Sequence, residues 1–446
     1  MRQPQLMVAL LLCVTGCHRY AKWTVAVGPA REMTVVGSGR RTCVRVTGEP
    51  EGCYQQVSLG AVATDANGEH SAYAAYRGGV WMVVKDGEAQ RGWHGVGAPV
   101  LARSGDRVAY AAEDADGRWR VVVNDSAGPV FDEVLYGSVQ FDRMGRRLAY
   151  VATRDSQAFV VIDGKVSRRW RRVQRITFDA TGNHVAYAAF DGAVYRVVVD
   201  GMELESPADV GDIRELALAE PVAPGELPRV AYIEMGKGFS RLVTRGGDGE
   251  RIISRGRARS PSFAGRRREP LYVMQDSIEG EALVFGDYVS PWHKGITPSS
   301  TPTSEHWGFI AGDGDTSTVG VIDGRIVSDS GVALDLVFGQ GEAFAYVHTP
   351  DQNISSFGAS PMQVVDDRGV SAPVDFIMNQ TLHFVDGGTE WACIAGDRKR
   401  HELFVLTRAG RVGHTLPWRD FVTWARQGRA EDGLRDWIDR TARRAR

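Results

Sequence analysis

Net charge is almost absent from this 446-residue chain, where 53 lysines and arginines face 55 acidic residues for a formal −2. That balance provides no global field to recruit nucleic acid or an anionic membrane surface. Long apolar runs are lacking too, and the stretch from Leu6 to Val14 is too short to span a bilayer as a permanent anchor. No His-Glu-x-x-His, Gly-x-Ser-x-Gly or Gly-x-x-x-x-Gly-Lys string occurs. The usual signatures of zinc peptidases, α/β-hydrolases and phosphate-cradling loops are therefore missing. The 10 histidines are scattered without ligand spacing, so no resident metal or cofactor is expected. Alternate carboxylates in Asp114-Ala115-Asp116-Gly117 and Asp313-Gly314-Asp315 suit calcium, but neither loop has the other ligands of an EF-hand, and both read better as turns. Glycine, by contrast, is abundant at 52 residues, for which a turn-rich β architecture is one common reason.

The N-terminus has the order of a secretory signal, with Arg2, then the apolar core, then Thr15 and Gly16. Val14-Thr15-Gly16-Cys17 resembles the bacterial lipobox. This resemblance implies that residues 1–16 are a removed signal peptide and that Cys17 carries lipid, with 17–22 as a short tether. His18 rather than Asp after the cysteine implies the outer membrane, on its periplasmic face or at the surface. Of the remaining cysteines, Cys43 and Cys53 flank the turn-like Thr47–Gly52. A hairpin would bring them within disulfide range and an oxidising periplasm would keep the bond; the alternative is two free thiols. Cys393, within Trp391–Ala395, reads as a small buried filler.

One string organises the chain. It runs Ala72-Tyr73-Ala74-Ala75, Ala109-Tyr110-Ala111-Ala112, Ala149-Tyr150-Val151-Ala152 and Ala186-Tyr187-Ala188-Ala189. Looser copies centre on Tyr232, Tyr272, Phe309, Tyr346 and Cys393, with successive spacings of 37, 40, 37, 45, 40, 37, 37 and 47. A turn such as Phe141-Asp142-Arg143-Met144-Gly145 precedes the string, and a β-branched run ending in Asp-Gly follows it, as in Val160-Val161-Ile162-Asp163-Gly164. Asp-Gly supplies the positive φ of a two-residue hairpin, so flanking strands should be antiparallel. Each unit then reads as four strands, with Val130–Val134 as an example of the fourth. A period near forty made of short strands is the signature of propeller blades.

The pattern Phe-Asp-x-x-Gly-x-x-x-Ala-Tyr, at Phe141–Tyr150 and Phe178–Tyr187, resembles the WD40-like repeat of the TolB propeller family. The resemblance implies an all-β propeller of four-stranded antiparallel blades over 23–416. Nine copies are present, and Met33–Val36 is a degenerate tenth, giving about 8–10 blades in one ring or in two smaller rings. Trp418, Phe421, Val422 and Ala425, then Leu434, Trp437 and Ile438, predict a short helical tail over 417–446 that docks on its own domain. Its terminal Arg440, Arg443, Arg444 and Arg446 could instead touch a partner or lipid.

The function expected is that of a non-enzymatic envelope lipoprotein presenting its propeller to a protein partner, as the resemblance implies. The alternative is a propeller enzyme, or a glycan- or metal-binding protein, that uses the central channel. Arg168-Arg169-Trp170-Arg171-Arg172 and Arg266-Arg267-Arg268 are charge runs that read first as solvated turns. Trp170 makes the first of them the better candidate for an acidic partner or a glycan.

Overall fold

An Asp-Gly pair with both residues at positive φ twists in the sense that a right-handed strand pair requires. Asp86, Asp163, Asp200 and Asp323 adopt φ of 51°, 50°, 49° and 48°, each followed by a left-handed glycine. The computed structural model describes residues 22–417, apart from 29–30, 39–40, 66–68, 220, 222–225, 247–248, 255, 265–268, 302–303, 313–317, 329, 351–359, 379–380, 386–387 and 401. Cys17, its signal segment, Arg266–Arg268, the Asp313–Asp315 loop and residues 418–446 lie outside these.

The described chain is all-β and contains ten antiparallel sheets, each built from strands consecutive in sequence. We number these blades in chain order. They are blade 1 (22–54), blade 2 (56–89), blade 3 (95–127), blade 4 (133–166), blade 5 (172–205), blade 6 (210–254), blade 7 (257–289), blade 8 (295–328), blade 9 (332–370) and blade 10 (376–417). The stretch Met33–Val36 is therefore the second strand of a full blade. In blades 3, 4 and 10 the first strand comes in two pieces, both paired with the second.

Each blade packs on its successor, and the approach runs through first strands. Second and third strands are buried on both faces, as Ala149, Ala152, Val160 and Val161 show, whereas fourth strands such as Ser126–Ala127 and Lys165–Val166 are exposed. Sheets that meet at their first strands and expose their fourth strands radiate as propeller blades do.

Two expectations need correction. Val130–Val134 is not a fourth strand: Ser126–Ala127 fills that role by pairing with Trp119–Val123, and Glu133–Val134 pairs in the next blade. The cause is the tight Asn124-Asp125 turn (φ 44° and 64°), which returns the chain at once and leaves 128–132 as a crossover. Pro417 does not begin a helical tail but ends the last strand, Gly410–Pro417. The rest of the expected tail is outside the described residues, and no α-helix occurs among the described ones.

The crossovers repeat with fixed geometry. Trp81 bridges Trp93, Trp119 bridges Phe131, Ala158 bridges Trp170, Glu281 bridges His293 and Met362 bridges Val374, always twelve residues apart. Phe131 and Trp170 meet the tyrosine of the following blade edge-on, with centroids 6.4 Å and 6.2 Å away. Serines recur beside these crossovers. The hydroxyls of Ser167, Ser290 and Ser371 accept the third-strand amides of Val160, Leu283 and Val364 at 3.0, 2.9 and 2.9 Å. Cys43 and Cys53 stand directly opposite in blade 1 and are joined as a disulfide, while Cys393 is a buried free thiol.

Candidate binding surface

The opposite rim is held by a latch that repeats from blade to blade. The aspartate of the Asp-Gly turn has one carboxylate oxygen on the amide that starts the second strand: Asp86 on Ser71 at 2.9 Å, Asp163 on Leu148 at 2.8 Å and Asp200 on Val185 at 2.9 Å. Its second oxygen meets the basic residue just before, His70 at 2.8 Å, Arg147 at 2.9 Å and His184 at 2.6 Å, and Asp323 holds His306 in the same way. Burial pushes the His306 imidazole down, but the carboxylates of Asp323 and Glu342 outweigh it and raise the group above its ordinary value. Three of the histidines that look scattered in sequence thus share one structural position. The signal was present, since a basic residue stands three before the aromatic at His70, Arg107, Arg147, His184, Arg229 and His306.

The Asp-x-x-Gly turns complete this rim. Asp142 accepts the Arg147 amide at 2.7 Å, and Asp179 accepts the His184 amide at 2.8 Å. Arginines then tie each turn to the next: Arg107 donates to the Arg146 carbonyl at 2.6 Å, and Arg147 to the Asn183 carbonyl at 2.6 Å. These bonds fix the blades relative to one another and leave the first strands as the place where chemistry varies.

The first strands break at one level. Opposite the second-strand aromatic, or Cys393, the register shifts or the strand divides in blades 2, 3, 4, 5, 6, 7, 9 and 10. Blade 8, with Phe309, keeps continuous register there. Arg175, Glu215, Ser260 and Asp335 occupy the breaks at φ of 25°, 52°, 54° and 53°. A bulge re-aims side chains and unpairs backbone, and it recurs beside functional sites. In blade 4 the interruption covers 135–139, where Leu135 and Tyr136 are 46% and 85% exposed. The breaks recur at one level of the first strands, a collar whose side chains differ from blade to blade. Sequence reasoning missed it, because a bulge cancels the alternation that marks a strand.

Neighbouring blades are joined across the collar by polar contacts. Gln140 donates to the Ile176 carbonyl at 3.2 Å and Gln174 to Asp212 at 2.7 Å, while Glu215 accepts the Ser260 amide. Between blades 7 and 8, Glu281 receives Arg259 at 2.9 Å and the Ile296 amide at 2.8 Å. Bonds from Arg259 hold the Glu281 carboxyl at about 2, against the opposing effect of burial. A depressed carboxyl stabilises the fold above its ordinary range, and that contribution is lost as pH falls from about 4.5 toward about 2. Glu281→Gln is therefore expected to lower stability near pH 7 by ~1.5–3 kcal/mol. The difference in Tm from the native chain should shrink below pH 4; a pH-independent difference would contradict the assignment.

The other candidates resolve plainly. Trp170 is 1% exposed and spans two blades, so it offers nothing to a ligand. Arg168 stacks on it at 3.6 Å and pairs with Glu203. Asp114 is occupied by the Arg118 amide at 2.9 Å and Arg120 at 2.6 Å, as a hairpin turn requires. The cluster with metal-ligand spacing, Cys43, Glu51 and Cys53, has its thiols in the disulfide and its carboxylate on Arg45 at 2.8 Å.

No protein-family model matches the chain, and no curated protein matches it. Among solved structures, it is similar to the β-propeller domain of the trilobed protease from Pyrococcus furiosus, at 10% identity and a TM-score of 0.27, over 71% of this chain and 94% of that one. A eukaryotic initiation factor matches at 11% identity and a TM-score of 0.42, over 78% and 95%. TolB from Acinetobacter baumannii matches at 10% identity and a TM-score of 0.27, over 68% and 74%. The propeller architecture rests on the strand order and blade packing described above.

Proposed function

We propose that the chain is a non-enzymatic, lipid-anchored protein of the cell envelope whose ten blades close into one ring and present the axial collar to a protein partner. The collar carries this reading. The first strands break at one level in eight blades, yet the breaks carry Tyr136, Arg175, Glu215, Ser260 and Asp335, a set of unlike side chains. Unlike groups on a rigid repeated frame suit recognition of an irregular protein surface. The lipobox-like Val14–Cys17 supports anchoring, and the Cys43–Cys53 bond accords with an oxidising compartment.

A photo-crosslinking residue at Tyr136 in living cells should trap a protein, whereas one at Ile326, 65% exposed on a fourth strand, should not. Equal trapping from both positions, or a glycan as the only adduct, would overturn the reading. Cys17→Ala should move the protein from the membrane to the soluble fraction; unchanged sedimentation would refute the anchor.

A further inference from the structure

We infer that the side of the collar formed by blades 4 and 5 binds an acidic peptide segment of the partner, an inference that deepens the interaction reading above. The first strand of blade 5, Arg172–Phe178, and the crossover before it carry Arg169, Arg171, Arg172 and Arg175, all exposed. Arg168 is spent on Glu203 and Trp170, but among the described residues no ion pair engages Arg169, Arg171 or Arg175. Arg172 lies over the Tyr195 ring at 5.6 Å, which fixes its stem and leaves its charge near the strand. The four cations therefore descend from the crossover rim to the level of the collar, where the bulge at Arg175 redirects the last of them.

Tyr136 stands at the corresponding level one blade earlier, because both breaks lie opposite the second-strand tyrosine, Tyr150 in blade 4 and Tyr187 in blade 5. The Gln140–Ile176 bond locks these two first strands together. Exposed tyrosine and leucine beside several arginines match the composition of binding hot spots, in which an aromatic anchors and guanidinium groups hold carboxylates.

Charge selects the occupant. The next first strand, in blade 6, presents Asp212, Arg214 and Glu215, so the basic path is narrow and bordered by carboxylates. A uniform polyanion would meet those carboxylates as soon as it left blade 5. A flat membrane surface could reach the rim but not follow the path inward to Arg175. A peptide fits both constraints, with its acidic residues along blade 5 and an apolar side chain against Leu135 and Tyr136.

The test uses the full chain in neutral detergent and a fluorescent peptide of about twelve residues, rich in Asp and Glu with one Leu and one Phe. Its counterpart has the acidic residues replaced by Asn and Gln. The acidic peptide is expected to bind at least about tenfold more tightly at about 50 mM salt, with the advantage shrinking at about 300 mM as screening shortens the reach of the charges. Arg172→Glu with Arg175→Glu should abolish the preference, and Tyr136→Ala should weaken both peptides by about threefold. If the charge reversals lower the melting temperature, Arg169→Glu with Arg171→Glu on the rim takes their place. Equal binding of the two peptides, or a preference unchanged by both pairs of reversals, overturns the inference. So does binding of heparin or phosphatidylglycerol vesicles in place of the peptide. Trapping of a protein from Tyr136 in cells, combined with failure of the acidic peptide, rejects this inference and leaves the interaction reading standing.

Discussion

Trp170→Ala is expected to destabilise the chain by about 3–5 kcal/mol, the usual cost of removing a fully buried aromatic. The indole sits between blades 4 and 5 among Val151, Val160, Val173 and Tyr187, and its backbone makes two bonds to Ala158 at 2.8 Å. Truncation would empty the crossover that sets the angle between the blades. Arg169→Ala and Arg171→Ala, on exposed residues either side, should change stability by no more than ~0.5 kcal/mol. Chemical denaturation of the three variants checks the contrast. Equal, small effects would mean that the indole is not the inter-blade wedge described here.

Gly182→Ala should cost about 2–4 kcal/mol, combining left-handed strain with loss of a buried cap. Gly182 has φ +72°, and a Cβ there would collide with the carboxylate of Asp142, which holds the preceding blade's turn. Gly164→Ala is the control. Its φ is +79°, but a Cβ there would meet nothing within 4 Å, so only the backbone strain of about 1 kcal/mol remains. Denaturation midpoints for the pair separate close approach between turns from conformational freedom alone. Equal losses would show that the turns of adjacent blades do not press on one another.

Legibility followed the range of the interaction. Asp-Gly turns, Ala-Tyr strands and Val runs are local chemistry, and each appears in the structure at the predicted residues. The outer strands were misplaced because a two-residue strand such as Ser126–Ala127 carries no alternation, whereas the longer Val130–Val134 imitates one. Trp170 looked exposed because arginines surround it. Its phase, 39 residues after Phe131, which is itself 38 after Trp93, identifies it as a crossover aromatic. The His/Arg–Asp latch was hidden for a related reason. His70, His184 and His306 show no ligand spacing relative to one another, and their shared position is visible only within each repeat. The collar left no sequence trace, since its members share a level in the first strands and no residue type.

End-on views of single particles by electron microscopy test most directly whether the ten blades close into one ring around one axial collar. Class averages should show ten spokes around a single central opening. Two smaller rings, or an arc that does not close, would contradict the account.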